Sequence, residues 1–266
     1  MILGGTSEAT HLSKLVAVAK INATLSFAGR VKRTKPQPIP IRVGGFGGPE
    51  GLCDYIVQNK ITHVIDATHP FAEQISWNTF KACTDLRIPF AALTRNPWVE
   101  EPGDNWENVD SVKAAAIMLK SYKPRTVFLA IGRIQVPEFK IAQQHKYILR
   151  LVDPFEGSLP LKNAHTIISR GPFEVSHDIK LMSENEVNII ICKNSGGTGA
   201  VSKLLAGRRL KLPVIMINRP KLPERITFHS PTEIVEWLKH WLFSIISWRI
   251  DIKIFHSIPL DLFSIG

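Results

Sequence analysis

The sequence predicts an α/β fold made of two doubly wound domains with mostly parallel sheets. Three observations carry this reading. Short apolar, β-branched runs alternate with stretches of helical periodicity along most of the chain. The first run passes directly into a glycine turn, Gly4-Gly5, and then into a helix. A second strand–turn–helix series opens at Thr126, just after Pro124. The expected domains are residues 1–124 and 125–240, followed by an apolar tail over 241–266.

The elements follow in order. Met1 to Leu3 is a minimal strand. Ala9, Leu12, Leu15, Val16 and Ala19 recur at helical spacing behind Thr6 or Ser7 as N-cap. Asn22 to Phe27 is a second strand, closed by Ala28-Gly29-Arg30. After the proline-punctuated stretch Pro36–Pro40, Ile41-Arg42-Val43 is a strand leading into Gly44-Gly45-Phe46-Gly47-Gly48. Pro49 opens a helix with Leu52, Tyr55 and Ile56 on one face. Val64-Ile65 forms a buried strand, and Asp66-Ala67-Thr68-His69 is its polar turn. A helix is predicted from Pro70 to about Thr84. Phe90 to Leu93 is a strand, residues 96–108 read as irregular, and Ser111 to Lys120 as a helix. In the second series, strands are expected at Thr126–Ile131, Tyr147–Val152, His165–Ser169, Val187–Cys192 and Pro213–Ile217. Helices are expected near Phe173–Glu184 and Thr198–Arg208, with a last one from Pro231. The same architecture is read twice, with no repeat at the level of sequence.

Composition narrows the function classes. The chain has 266 residues, 44% hydrophobic and 21% charged, with a net charge of +10. Such an excess favours an anionic partner. No basic helix or aromatic-interleaved patch points to nucleic acid. No uninterrupted apolar run of about 18 residues points to a membrane span. Three cysteines without CxxC spacing fit a reducing, cytoplasmic setting and no disulfide framework. With the glycine turn already at Gly4, no signal peptide is expected. The histidines lack HxxxH and HExxH spacing, so no metal is expected. A short-chain dehydrogenase would need Tyr-x-x-x-Lys. Tyr55, Tyr122 and Tyr147 are followed at that spacing by Asn59, Thr126 and Leu151, so that reading fails.

The residues with chemical meaning gather at strand ends. Backbone N–H groups at a glycine turn and helix N-terminus suit a pyrophosphate. Arg30 stands where an NAD-selective site would carry an acid. A guanidinium there suits a 2′-phosphate and favours NADPH over NADH. Gly44 to Gly48 offer bare backbone to a flat ring or a diphosphate. His69 is the group of near-neutral ordinary pKa at the central turn. Asp66 reads as the cap of that turn.

Together these motifs resemble the precorrin-6A reductase family of cobalamin biosynthesis. The resemblance runs through Leu3–Ala9, Ala28–Arg30, Arg42–Gly48, Asp66–Ala72, Gly132-Arg133, Arg170–Phe173 and Lys193–Gly197, and ends near Trp241. It implies two Rossmann-like domains, a nicotinamide nucleotide on the first, and a macrocycle in an interdomain cleft. The implied reaction is NADPH-dependent reduction of precorrin-6A to precorrin-6B by hydride transfer to a conjugated double bond. A cobalt-precorrin-6A reductase using NADH or NADPH is the alternative, and a non-catalytic NADP(H) sensor a further one. On this basis Gly4, Gly5, Thr6, Glu8, Arg30, Gly44, Gly45, Phe46, Gly47 and Thr68 are expected to bind the cofactor. Arg133, Arg170, Lys193, Asn194, Ser195, Gly196 and Gly197 are expected to bind the polycarboxylate tetrapyrrole. His69 is expected to bind it too and is the candidate proton donor. The oligomeric state is left open, with a monomer favoured.

Overall fold

The computed structural model describes residues 1–29, 36–155 and 157–241. In chain order the elements are β1 (Ile2–Leu3), α1 (Ser7–Val18), β2 (Leu25–Phe27), β3 (Ile41–Val43), α2 (Pro49–Gln58), β4 (Val64–Asp66), α3 (Glu73–Asp85) and β5 (Phe90–Leu93). Next come β6 (Trp106–Val109), α4 (Val112–Lys120), β7 (Thr126–Ala130), a 3₁₀ segment (Arg133–Ile141), β8 (Lys146–Leu151) and β9 (Ala164–Ile168). They continue with α5 (Val175–Glu184), β10 (Ile189–Lys193), α6 (Ser202–Arg209), β11 (Val214–Ile217) and β12 (Ile226–Phe228). A helix over 231–241, α7, closes the described chain.

Two six-stranded sheets result, one running β12-β5-β4-β1-β2-β3 and the other β6-β11-β10-β7-β8-β9. Every pairing between neighbours is parallel. Each sheet reverses direction once, between β1 and β4 in one and between β7 and β10 in the other. Five strands of each sheet, β5-β4-β1-β2-β3 and β11-β10-β7-β8-β9, thus repeat one order, and the sixth differs: it comes last in the chain in the first sheet and ahead of the other five in the second. In open parallel sheets ligands bind at the carboxyl ends of the strands flanking such a reversal.

The two compact units comprise Met1–Thr68, Asn78–Thr94 and Glu224–Gly266 in one, and His69–Trp77 and Arg95–Pro223 in the other. The expected boundary near 124 is not where the sheets divide. Trp106–Val109, read as irregular, pairs with β11 in the second sheet, and Ile226–Phe228 returns to pair with β5 in the first. Both are short edge strands. Trp106, Glu107, Ile226 and Thr227 are at least partly exposed, so neither shows the continuous apolar run of a central strand.

The first unit packs α1 and α7 on one face of its sheet through Leu12, Val16, Ile234, Val235 and Leu238. The second buries one face under α4 and the 3₁₀ segment (Ala115, Leu119, Phe139) and the other under α5 and α6 (Leu181, Met182, Leu204). The second unit also holds a buried ion pair. Arg150 Nη1 lies 2.6 Å from Asp178 Oδ1, and the Ser202 hydroxyl donates to Asp178 Oδ2 at 2.6 Å. This ties β8 to α5 and α6. Helix α3 begins at Glu73 rather than at Pro70, because Pro70 and Phe71 form a turn in which the Ala72 N–H donates to the His69 carbonyl.

Candidate functional site

At the reversal point of the first sheet, the chain leaves β1 through Gly4 and Gly5. Gly5 has φ +127°, and a Cβ there would meet nothing within 4 Å, so the turn presents bare backbone in a conformation that favours glycine. Thr6 caps α1. Its Oγ1 accepts the Ala9 N–H at 3.1 Å and donates to the Ala67 carbonyl at 2.8 Å, which fastens the turn to the end of β4. Glu8 lies in the first turn of α1, where its Oε2 accepts the Ser7 hydroxyl at 3.0 Å. An open glycine backbone at the start of a capped helix fits a pyrophosphate.

Across the reversal, the buried Asp66 caps its own turn. Oδ1 accepts the Thr68 N–H at 3.1 Å and the Thr68 hydroxyl at 2.6 Å, while Oδ2 lies 3.4 Å from Arg225 Nη1. Thr68 is half-buried at the strand end with its hydroxyl proton committed to Asp66. At the edge of the same sheet, added Cβ atoms on Gly44, Gly45 and Gly47 would also meet nothing within 4 Å. Phe46 is different. Its ring packs under the Arg42 guanidinium at 3.8 Å and edge-on to Tyr55 at 5.3 Å. Arg30, the expected reader of a 2′-phosphate, lies outside the described residues.

In the second unit the residues around the carboxyl end of β10 form a cationic cluster. The Phe71 N–H donates to His69 Nδ1 at 3.2 Å, so the neutral ring carries its proton on Nε2. Lys193 Nζ stands 4.8 Å from the Phe71 ring centre. Burial and then the charges of Arg95, Lys193, Arg219 and Lys203 push the His69 pKa down to about 3. At neutral pH the imidazole is therefore uncharged. It can donate one hydrogen bond from Nε2, but it does not carry the extra proton expected of an acid. Lys203 is buried, donates to the Ala200 carbonyl and stands 4.4 Å from the Trp98 ring, and burial lowers its pKa to about 8.

The turn after β10 is held from behind. Asn194 Oδ1 accepts the Trp98 N–H and its Nδ2 donates to the Trp98 carbonyl, each at 2.8 Å. Arg219 donates to the carbonyls of Asn194, Arg95 and Ser195 at 3.0, 2.8 and 3.1 Å. Gly196 sits so close to Asn96 that a Cβ would come within 2.1 Å of its carbonyl oxygen, and the Gly197 carbonyl accepts the Trp98 indole N–H at 2.8 Å. Asn194, Gly196 and Gly197, expected to hold substrate, thus brace this turn against residues 95–98. Ser195 keeps a half-buried hydroxyl with one long bond, 3.4 Å, to the Lys193 carbonyl.

Two expected anion binders are tied elsewhere in the same unit. Arg133 donates to the Pro154 carbonyl at 3.2 Å, and Arg170 pairs with Asp153 at 2.9 Å, both in the segment after β8. Around His69 the structure brings Arg95, Arg219 and Lys203 together with Lys193. Arg95 and Arg219 follow strands β5 and β11, the same strand-end signal that marked Lys193. Lys203 lies inside the first turn of α6, and no sequence signal marks it. Among the described residues no group of three or more His, Cys, Asp or Glu is placed to hold a metal ion.

Comparisons with known proteins give the family of the chain. The family described as Precorrin-6x reductase CbiJ/CobK matches residues 1–239. A protein of Rhodobacter capsulatus named precorrin-6A reductase is 45% identical over 238 residues, covering 90% of this chain and 94% of its own. A solved structure titled CobK precorrin-6A reductase superposes with a TM-score of 0.85 at 44% identity, covering 90% of this chain and 95% of its own. A Priestia megaterium protein named cobalt-precorrin-6A reductase is 27% identical, covering 90% of this chain and 97% of its own.

Proposed function

The chain belongs to the precorrin-6x reductase CbiJ/CobK family, and from that premise we propose that it reduces precorrin-6A to precorrin-6B in cobalamin biosynthesis with NADPH. The observation that carries this reading is the unlike equipment of the two sheet reversals. One is an open glycine turn at a helix N-terminus, and the other a cluster of cations around an uncharged histidine. The first suits a nucleotide pyrophosphate, the second a polycarboxylate macrocycle. Identity of 45% to a precorrin-6A reductase, against 27% to a cobalt-precorrin-6A reductase, favours the metal-free substrate.

In this proposal the backbone of Gly4 and Gly5 holds the pyrophosphate and Thr6 fixes the turn. Thr68, with Gly44, Gly45 and Gly47, lines the rest of the nucleotide's path. When bound, the reduced nicotinamide supplies the hydride for a conjugated double bond of the macrocycle. The chain's own task is to fix donor and acceptor against each other. Lys193, Arg95 and Lys203 supply positive charge for the macrocycle's carboxylates, and Ser195 supplies a hydroxyl. Arg219 keeps the turn in shape while adding to the field. His69 binds a carboxylate through Nε2–H rather than giving up a proton.

The test is incubation of the protein with precorrin-6A and each reduced nucleotide, following nicotinamide oxidation. The expected result is oxidation of NADPH that requires precorrin-6A. No oxidation with either nucleotide would overturn the proposal.

A further inference from the structure

Asp178 is fully buried in the first turn of α5. Its Oδ1 accepts from Arg150 Nη1 of β8, and its Oδ2 from the hydroxyl of Ser202, the first residue of α6, each at 2.6 Å. The Arg150 guanidinium lies 3.9 Å from the Phe173 ring centre and 4.9 Å from that of Phe128. The segment that carries Phe173 also packs on the approach to α6, where a Cβ on Gly171 would come within 2.9 Å of the Gly199 carbonyl oxygen. One carboxylate and one guanidinium thus gather β8, α5, the start of α6 and the segment Arg170–Phe173.

The residue after Ser202 is Lys203. Its buried ammonium donates to the Ala200 carbonyl and lies 4.4 Å from the Trp98 ring centre, and neither partner is charged. The titratable groups that bear on it are Cys192 of β10, Arg150 of β8 and Asp178 of α5. Lys203 in turn bears on His69, which is uncharged at neutral pH. Burial raises the Cys192 pKa, so that thiol is uncharged as well. Asp178 therefore supplies the negative charge that offsets Arg150. A guanidinium keeps its proton, whereas a desolvated ammonium beside a like charge gives one up. Without Asp178 the charge lost would be that of Lys203.

We propose that Asp178 is a positioning residue for the macrocycle: through Ser202 it fixes the start of α6, and beside Arg150 it keeps the Lys203 ammonium charged for a substrate carboxylate. This rests on the reading that the second unit binds the polycarboxylate substrate. Nuclear magnetic resonance of the whole protein carrying ¹³C at lysine Cε tests it, the Lys203 signal being the one absent from Lys203→Met. In the wild type that signal should titrate at about pH 8, well below an exposed lysine. Asp178→Asn should lower the midpoint by about one pH unit, and Arg150→Gln should raise it. A loss of packing does not give shifts of opposite sign, and either variant carries the test if the other does not fold. In steady-state rates Asp178→Asn should raise the KM for precorrin-6A about fivefold at pH 8, where a one-unit fall takes the charged fraction from about a half to about a tenth, and by less than about twofold at pH 6. A Lys203 signal that titrates with the exposed lysines, or that stays put in whichever variant folds, would overturn the proposal. So would a KM raised equally at both pH values, since Asp178 would then act by packing alone. Wild type that turns over no precorrin-6A while Lys203 titrates as expected would overturn the reading of function instead, and the proposal's substrate with it.

Discussion

The side-chain amide of Asn194 and the backbone of Trp98 exchange two hydrogen bonds of 2.8 Å each. Both ends of the amide are engaged, so this residue locks the turn after β10 to the segment after β5. Asn194→Ala leaves a backbone donor and acceptor without partners in a partly buried place. The expected loss is about 2–4 kcal/mol of unfolding free energy, read by urea denaturation. Asn194→Asp keeps the acceptor for the Trp98 N–H and should lose less. Unchanged stability with weakened macrocycle binding would instead make Asn194 a direct substrate contact.

Asp66 joins Thr68 to Arg225, and the two charged side chains are 2% and 9% exposed. Removing one member of a buried pair strands the other. Asp66→Ala should therefore cost about 3–5 kcal/mol. Asp66→Asn retains an acceptor for Thr68 and should cost less. Thermal unfolding of the two variants, with circular dichroism to confirm the fold, checks the order.

His69 gives a pH prediction with a definite sign. Its folded pKa, about 3, lies below the ordinary histidine value of 6.5 because of burial and four nearby cations. As pH falls from about 6.5 toward 3, the unfolded chain takes up a proton that the folded chain refuses, so stability falls with falling pH. His63 and His145, lowered mainly by burial, act in the same direction. His69→Asn should make the decline shallower without abolishing it. Identical slopes in urea titrations between pH 4 and pH 7 would remove His69 from that account.

The cation cluster predicts salt-sensitive macrocycle binding. Lys193→Gln removes one charge that bears on His69. It should raise the KM for the macrocycle about tenfold and leave the Kd for the nucleotide within about twofold. Initial rates at two ionic strengths, with parallel nucleotide titrations, separate the two effects.

Gly5 has φ +127° and open space above it. Gly5→Ala puts a methyl group on the surface assigned to the pyrophosphate and strains the backbone by about 1–3 kcal/mol. Nucleotide affinity should fall about tenfold or more. Unchanged affinity in a folded variant would move the pyrophosphate elsewhere.

Much of the fold was legible because central parallel strands are apolar on both faces. Val127-Phe128-Leu129 and Ile189-Ile190-Ile191 show this directly. The edge strands β6 and β12 were not legible, since each is short and exposes part of its length. Strand-end reading singled out Gly4, Gly5, Thr68, His69 and Lys193, which lie at or just beyond the ends of β1, β4 and β10. It singled out Asn194 too, but not its bracing of Trp98, because a bond between positions 96 apart leaves no local pattern. Lys203 was invisible for a related reason. A lysine in a helix normally reads as solvated, and burial against Trp98 comes only from the fold.

The most direct measurement is the fate of deuterium placed at both C4 positions of the reduced nicotinamide when the protein turns over precorrin-6A. The account predicts one deuterium per product molecule, delivered from NADPH, with the second new hydrogen drawn from water. A reduced product with no deuterium, or no reduced product from either labelled nucleotide, would contradict it.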